Sequence, residues 1–405
     1  MKNNPETRFQ EFDEEWKPST LSNIVTRIKR KNEELTSDRV LTISAQYGLI
    51  DQKDFFNKRI ASSLLQGYYL MKKGEFAYNK SYSSEYPVGA VKRLKKYDWG
   101  VLSTLYILFT INDESLAEWV EAFFESSKWH NEITKRASEG ARNHGLLNIS
   151  PTDFFDLPFC YPSTPDEQHK IAQFFSRLDS LITAEDKKLE RLKTIKSASL
   201  EKMFPKQGET VPEVRFKGFT GEWMESRIGD CFSERKERSG IGEMLSVTIN
   251  SGVRKARELD RTVHIGDTSN YKVVRQGDIA YNSMRMWQGA SGYSQYDGIV
   301  SPAYTVIIPK ERIDSRFFAC LFKTQHMIHV FELNSQGLTS DTWNLKYGQL
   351  RSIPVKYPVD LKEQIYIAEY FSRLDILISA QEQKSEKLRS LKKSFLEKMF
   401  VSTPK

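Results

Sequence analysis

The chain has 405 residues, of which 39% are hydrophobic and 12% aromatic, so it can bury real cores and is not a disordered protein. Its length predicts about two or three domains of ordinary size. The formal net charge of +7 is compatible with a polyanionic partner but does not require one.

The cysteines and the absence of long apolar runs exclude further classes of protein. Cys160, Cys231 and Cys320 lie far apart with no CxxC spacing, which argues against a zinc ribbon or a disulfide framework. The N-terminus has no apolar signal-like region, and no run approaches the roughly 18 apolar residues of a membrane span. We therefore expect a soluble protein in a reducing cytoplasm.

The first part of the chain mixes strand and helix patterns. Val40–Ser44 and Leu102–Phe109 are rich in apolar and β-branched residues and predict strands, whereas Leu116–Lys135 predicts a helix. Pro165 then opens a long amphipathic segment, with Thr164 and Glu167 placed like an N-cap and capping box. Apolar residues recur along this segment at steps of three and four. They are Ile171, Phe174, Phe175, Leu178, Leu181, Ile182, Leu189, Leu192 and Ile195.

The second half of the chain repeats the first. Strands are predicted at Leu245–Ile249 and Tyr304–Pro309 and a helix at Ser315–Leu333. A second long helix follows, and it repeats the sequence pattern of the first helix without a gap. Glu167 corresponds to Glu363, and Phe204 to Phe400. The entry to each half also recurs, with Arg8, Phe9 and Trp16 matched by Arg215, Phe216 and Trp223.

The repeat predicts an α+β fold of two tandem mixed domains, each followed by a long helix. The predicted divisions are domains at 1–163 and 205–359, the latter with a linker, and helices at 164–204 and 360–405. Apolar stripes of this length need a partner, so we expect the helices to pair as an antiparallel coiled coil with pseudo-twofold symmetry. The residues predicted to lie in this seam or to contact partners are Ile171, Phe175, Leu178, Leu181, Leu192, Ile367, Phe371, Leu374, Leu377 and Leu388.

Catalytic and metal-binding motifs are nearly absent. The sequence contains no Walker A loop, no GxGxxG after a strand, no HExxH, no GxSxG and no Asn-Pro-Pro-Tyr-like methyltransferase motif. His326 and His329 form an HxxH, but without a third ligand we interpret them as packing or surface histidines. The sequence therefore predicts neither a catalytic residue nor a metal site.

Basic, amide and aromatic residues are concentrated where the two halves differ. Arg and Lys can contact guanine, Asn and Gln can contact adenine, and further cations can neutralise phosphates. A single surface lysine usually only solvates a face, and Trp287 could be a core residue, so the clustering is what favours DNA. The candidate DNA-binding residues are Lys80, Tyr82, Lys92, Arg93, Arg142, Asn143, His144, Arg254, Asn282, Arg285, Trp287 and Gln288.

These features resemble a known family. The doubled helix sequence, the repeated Phe-x-x-x-Trp entry, the stretch from Asn282 to Gly289 and the stretch from Gly140 to Gly145 look like the specificity subunit of type I restriction-modification enzymes. The resemblance covers essentially the whole chain. It implies two target recognition domains that each read one half of a split DNA site. The two helices would be the central and distal conserved regions, which set the spacing between half-sites.

The same resemblance implies partners and cofactors outside this chain. The helices would dock two methylation subunits that hold S-adenosylmethionine, and two restriction subunits with ATP and Mg would cut the DNA. This chain itself would hold no cofactor. Two other functions stay open on the residues alone: a catalytic methyltransferase or nuclease, and a repeat-built adaptor that uses its helices for protein contacts.

Overall fold

The computed structural model describes residues 3–44, 48–53, 65–83, 86–137, 147–249, 251–259, 267–339 and 342–401. The chain divides into two compact units. Unit 1 consists of Met1–Glu185 with Lys384–Lys405, and unit 2 of Asp186–Gln383. Among the described residues, no helix is both long and apolar enough to cross a membrane.

Unit 1 contains a central antiparallel sheet with helices packed on it. Its strands are β1 (Lys17–Thr20), β2 (Val25–Ile28), β3 (Leu41–Ser44), β4 (Gly48–Asp51), β5 (Tyr69–Lys72), β6 (Phe76–Asn79), β7 (Ala90–Arg93), β8 (Trp99–Leu102), β9 (Ile107–Ile111) and β10 (Pro158–Tyr161). Its short helices are α1 (Ala117–Glu125), α2 (His130–Arg136) and α3 (Pro151–Phe155), with 3-10 turns at Leu21–Asn23 and Glu114–Leu116.

The four-stranded sheet of unit 1 has the order β2-β9-β6-β7, and three antiparallel pairs, β1–β10, β3–β4 and β5–β8, surround it. Phe76 lies opposite Phe109 on the central strands, and their rings stack with centroids 5.3 Å apart. Trp16, Trp119 and Trp129 are fully buried in the same core. This large aromatic core holds α1 against the sheet.

Unit 2 repeats this plan. Its strands are β11 (Met224–Arg227), β12 (Phe232–Glu234), β13 (Leu245–Thr248), β14 (Gly252–Lys255), β15 (Lys272–Val274), β16 (Ile279–Asn282), β17 (Ser291–Tyr293), β18 (Gly298–Val300), β19 (Tyr304–Pro309) and β20 (Pro354–Tyr357). Its short helices are α5 (Ile228–Cys231), α6 (Ser315–Leu321), α7 (Gln325–Asn334) and α8 (Tyr347–Leu350), with 3-10 turns at Ala256–Glu258 and Met286–Gln288.

The strand order of the central sheet in unit 2, β12-β19-β16-β17, is the order seen in unit 1. The accompanying antiparallel pairs, β11–β20, β13–β14 and β15–β18, also match. The predicted α+β class and the predicted repeat are therefore confirmed.

The two long helices are α4 (Pro165–Lys202) and α9 (Leu361–Lys398), and each contributes to both units. Within unit 1, Asp179 accepts a hydrogen bond from Lys392 at 2.5 Å and Glu185 accepts one from Lys384 at 2.6 Å. From the first pair to the second, the residue number increases along α4 and decreases along α9. The helices are therefore antiparallel here, as predicted.

The same direction holds within unit 2. Lys196 of α4 donates to Asp375 of α9 at 2.5 Å, and Ser199 pairs with Tyr370 at 2.8 Å. Phe204, just beyond α4, stacks on Phe371 with ring centroids 6.0 Å apart. Apolar contact thus accompanies the polar pairs along the seam.

The predicted seam residues separate into three groups by exposure. Five are buried: Ile171, Phe175, Ile367, Phe371 and Leu374. Three are half-buried: Leu178, Leu192 and Leu388. Leu181 and Leu377 are 42% and 52% exposed, so they do not pack in the seam of their units. That Leu181 and Leu377 contact a partner protein stays a prediction.

The starts of the long helices differ from the predicted capping boxes. Glu167 accepts from Arg8 Nε at 2.6 Å and Arg8 Nη2 at 2.7 Å instead of capping the helix, and the hydroxyl of Thr164 makes no hydrogen bond. Glu363 is held in the same way by Arg215. The capping-box prediction is wrong for both glutamates because a buried ion pair takes each carboxylate. Asp360, which the sequence also predicts as the N-cap of the second long helix, does accept a hydrogen bond from the amide of Lys362 at 2.9 Å.

Three other predicted elements are interrupted. The helix predicted at Ser315–Leu333 is two helices, α6 and α7. The helix predicted at Leu116–Lys135 is two helices, α1 and α2, because Ser126 donates its hydroxyl to the carbonyl of Phe123 and ends α1. The strand predicted at Leu102–Phe109 is the end of β8 and the start of β9, which pair with different strands. The proposed division at 1–163, 164–204, 205–359 and 360–405 stays a prediction, since the compact units follow another division.

Matched leucines on α9 test the seam. Leu374 is 7% exposed and Leu377 is 52% exposed. We expect Leu374→Ala to lower the free energy of unfolding by ~2 to 5 kcal/mol, because it removes buried methyl groups and leaves a cavity. Leu377→Ala should change it by about 0.5 kcal/mol or less. Urea denaturation followed by circular dichroism measures both, and equal losses would contradict this account of the seam.

Candidate nucleic-acid interface

Two candidate residues of unit 1, Lys92 and Arg93, lie on strand β7 and not in a loop as predicted. Lys92 is 3.3 Å from a carboxylate oxygen of Glu125. Arg93 forms an ion pair with Glu114, and its Nε donates to the carbonyl of Gly74 at 3.0 Å. These partners compensate both charges inside the unit, which leaves less charge for a phosphate.

Glu125 is the centre of this charge network. Its second carboxylate oxygen accepts from Lys392 at 2.5 Å, and Lys392 also donates to Asp179. Burial works to raise the pKa of Glu125, but Lys92 and Lys392 together hold that pKa below its ordinary value. Lys92 therefore helps to fix strand β7 against α1 and α9 within unit 1.

The segment after β6 is the exposed candidate surface of unit 1. Tyr82 is 37% exposed, and Lys80 is half-buried, which lowers the pKa of its ammonium group. The backbone amide of Leu147 donates to the carbonyl of Lys80 at 2.9 Å. The candidates Arg142, Asn143 and His144 lie outside the described residues.

The turn after β16 is the clearest candidate surface of unit 2. Asn282 ends the strand, and its side-chain oxygen accepts from the amide of Met284 at 3.0 Å. Arg285 then precedes the 3-10 turn, and Gly289 ends it with a left-handed backbone, φ 81°. We call Arg285–Gly289 the reading turn. Asn282 thus shapes its entry.

Some side chains of the reading turn anchor it in the core, and others are accessible to solvent. Met286 is fully buried, whereas Arg285 is exposed and Gln288 is half-buried. Neither Arg285 nor Gln288 makes an ion pair or side-chain hydrogen bond with the described residues. Their polar atoms are therefore available for an external partner.

A second segment lies beside the reading turn. The ring of Trp287 packs edge-to-face on Trp343 with centroids 5.2 Å apart, and its indole nitrogen donates to the carbonyl of Met284 at 3.1 Å. The backbone amide of Leu345 donates to Ser283 at 2.8 Å. Sequence reasoning missed Trp343 and the fully exposed Leu338. The glycine-containing polar run after α7 was the available signal for a surface loop.

Arg254 lies on strand β14 and is exposed. It lines a cleft of about 690 Å³ within unit 2 together with Lys323, Ser291 and residues of α4 and α9. Lys255, next to it, is engaged over the ring of Tyr296 at 5.0 Å. Arg254 is thus the cation of this hairpin with the freer head group.

Substitution of Lys92 tests whether this cation stabilises the fold or faces DNA. We expect Lys92→Met to lower the free energy of unfolding by about 1 to 3 kcal/mol, because it removes one of two ammonium groups from a half-buried carboxylate. The salt dependence of DNA binding should not change. Chemical denaturation and binding titrations at several salt concentrations measure the two effects.

The pH dependence supplies a control for that variant. Because the pKa of Glu125 is lowered on folding, its stabilisation is complete above about pH 4.5 and is lost as the pH falls through the folded pKa. Lys92→Met should reduce this acid-sensitive part. A variant that keeps full stability but loses part of the salt slope would instead make Lys92 a phosphate contact.

Comparison with known proteins gives one family match. Residues 221–390 match Methylase_S, the type I restriction modification DNA specificity domain. None of the curated proteins is a significant match.

Solved structures share the fold over nearly the whole chain. The S subunit of a type I restriction-modification system from M. genitalium is 15% identical, with a TM-score of 0.60, and the match covers 99% of this chain and 100% of that one. A chain from a structure described by the complex assembly and conformational transition of the type I R-M system is also 15% identical, with a TM-score of 0.56 and coverage of 95% and 97%. The family match and the shared fold confirm the resemblance drawn from the sequence.

Proposed function

We propose that this chain is a DNA specificity subunit of a type I restriction-modification system and that it reads a bipartite and asymmetric DNA site. Each unit would read one half-site with its own loops. The repetition of one strand order in both units, with unlike segments after β6 and after β16, is the observation that carries this proposal. Like scaffolds with unlike loops favour two different half-sites.

The bipartite arrangement has a physical advantage. One small unit contacts only a few base pairs, and each mismatched pair costs only ~1 to 3 kcal/mol. Two linked readers multiply their discrimination, because the second binding event becomes intramolecular. The long helices α4 and α9 would then set the number of unread base pairs between half-sites.

The chemistry of unit 2 fits direct base reading. Arg285 can donate two hydrogen bonds to guanine, and the amide of Gln288 can pair with adenine. Arg254 would neutralise a phosphate, which adds affinity without sequence preference. Trp287 and Trp343 would support the reading turn from one side.

The chain is a non-catalytic subunit, so its partners would carry the chemistry. We infer two methylation subunits that hold S-adenosylmethionine and two restriction subunits that use ATP and Mg, all acting on cellular DNA in the cytoplasm. Exposed apolar side chains on the long helices support protein docking there. They are Leu181, Ile195, Ile376, Leu377 and Leu391.

The proposal is tested by sequencing methylated adenines in cells that express this chain with its methylation subunit. A split, asymmetric methylated motif is the expected result. An adaptor would leave the methylated sequence unchanged when this chain is removed, and electrophoretic shifts with the purified methylation subunit would then show no sequence preference.

Arg285→Ala tests the reading turn. We expect it to cost ~1 to 3 kcal/mol of specific binding, and to relax the second half-site only, because a bidentate base contact is lost. The free energy of unfolding should stay within about 0.5 kcal/mol, since the side chain is exposed. Competition binding of the assembled complex to DNA with one randomised half-site measures the effect.

Arg254→Ala is the matched comparison. It should weaken all sequences alike and reduce the salt slope by about 1. If Arg285→Ala behaves in the same way, then Arg285 is a phosphate contact and its assignment as a base reader is wrong.

Insertion of residues into the helices tests the spacing. Four residues inserted after Glu185 of α4 and four after Gln381 of α9 lengthen each helix by about 6 Å and turn it roughly 40° beyond a full turn. Base pairs are about 3.4 Å apart, so the unread gap should grow by one or two pairs while both half-sites stay the same.

The control for this experiment inserts two residues at the same two places. Two residues turn each helix by about 200°, so the apolar stripes no longer face each other and specific binding should be abolished. The methylated motif in cells is the readout. An unchanged gap with full activity in the four-residue variant would mean that the helices do not set the spacing.

A further inference from the structure

Lys323 joins two separate loops of unit 2. It lies between α6 and α7, and its ammonium group donates to the carbonyl of Ile249 at 2.7 Å and also to the carbonyl of Gly289. Ile249 follows β13 at the turn of the β13–β14 hairpin, whereas Gly289 ends the reading turn. One half-buried cation thus connects the hairpin that carries Arg254 to the turn that carries Arg285.

We infer that Lys323 is the positioning residue that holds the reading turn of unit 2 in its DNA-reading geometry. This inference rests on the proposed function. Lys323 need not touch DNA: its two carbonyl contacts fix where Gly289 lies relative to the hairpin, and thereby orient Arg285 and Gln288.

The reading turn is also held by the burial of Met286, by the packing of Trp287 on Trp343 and by its own backbone hydrogen bonds. The amide of Gly289 donates to Met286 at 2.8 Å and the amide of Ala290 donates to Arg285 at 3.1 Å, which closes the turn without tying it to the hairpin. A side chain on Gly289 would be strained by its positive φ and would meet Ile328 at 3.4 Å. Lys323 adds the side-chain bridge from the turn to the β13–β14 hairpin.

The surroundings of Lys323 disfavour its charged form, so the charge does not serve the stability of the fold. Burial, and next the charge of Lys196 on α4, lower the pKa of Lys323 to about 8, while Cys320 of α6 and Asp375 of α9 act in the opposite direction. Arg254, Arg316 and Glu382 line the same cleft. An apolar residue of similar length would avoid the cost of burying a charge. The carbonyl bonds are what a cation adds here.

The corresponding place in unit 1 carries the opposite charge. Glu125 ends α1 before Ser126, whose hydroxyl donates to Phe123, just as Lys323 precedes Thr324, whose hydroxyl donates to Leu321. Glu125 binds the side chains of Lys92 and Lys392. As a carboxylate it accepts hydrogen bonds, so it does not bind the backbone carbonyls of a turn as Lys323 does. The effect of Lys323 should therefore be confined to the second half-site.

The test compares Lys323→Met with Lys323→Arg in the complex with the methylation subunit. Lys323→Met keeps the aliphatic length but removes the donors. We expect it to reduce discrimination at the second half-site by about tenfold or more, the loss typical of charge-assisted hydrogen bonds, with the first half-site unchanged. Its melting temperature should not fall. Lys323→Arg should restore most of the discrimination.

A pH profile separates positioning from stability. The pKa falls from 10.5 to about 8 on folding, so between these values the unfolded chain binds more protons and this group makes native stability rise with pH. The charge-assisted carbonyl bonds weaken over the same interval. Wild-type discrimination at the second half-site should therefore decrease from pH 7 to 9, whereas that of Lys323→Arg should stay constant.

Two outcomes would overturn the role of Lys323. One is full discrimination by Lys323→Met. The other is an equal loss at both half-sites accompanied by a lower melting temperature, which would make Lys323 an ordinary structural residue. If the wild-type complex itself prefers no sequence, the proposed function fails, and this result is distinguishable because it does not depend on the variant.

Discussion

The antiparallel pairing of the two long helices is the constraint on which the rest of the fold depends. In unit 1, Phe175 of α4 stacks on Phe400, which follows α9, with centroids 5.7 Å apart; in unit 2, Phe204 and Phe371 make the reciprocal contact at 6.0 Å. The end of each helix segment therefore completes an aromatic core whose other residues are distant in sequence. The core of unit 1 therefore needs the C-terminal segment of the chain, whereas the core of unit 2 forms from one contiguous stretch, Asp186–Gln383.

A buried ion pair fixes the start of each long helix to the globular part of its own unit. Arg8 binds Glu167, and Arg215 binds Glu363; both carboxylates are 1% exposed. Burying one charge alone is costly, so each buried carboxylate depends on its arginine. This interaction explains why an Arg near the start of each half and a Glu at the start of each helix recur together.

Periodicity predicted the elements that depend on local pattern. The stripes of α4 and α9 and the doubled sequence gave the helix positions and the repeat, because an amphipathic helix needs only its own spacing to be recognised. The single strand predicted at Leu102–Phe109 was wrong because the two ends of this segment belong to two strands that pair with different partners. The exposure of Leu181 and Leu377 could not be read from their spacing alone, since the partner helix decides which side of a stripe is covered.

The candidate site was predictable only in part for the same reason. Arg285 stays exposed, as expected of a divergent turn, but Lys92 and Arg93 find their carboxylates on other segments. A basic cluster in sequence therefore does not separate cations that face outward from cations that hold the fold together. Only the three-dimensional partners make that distinction.

The two units show how one scaffold can support two readers. At the end of the first helix after the central sheet, Glu125 links strand β7 to α9, whereas Lys323 links two backbone turns. The carboxylate accepts hydrogen bonds and so recruits cationic side chains; the ammonium donates and so recruits carbonyls. A charge reversal at one position of a repeated fold thus changes which segment is held rigid. The sheet and the seam keep their form, and the loops can diverge.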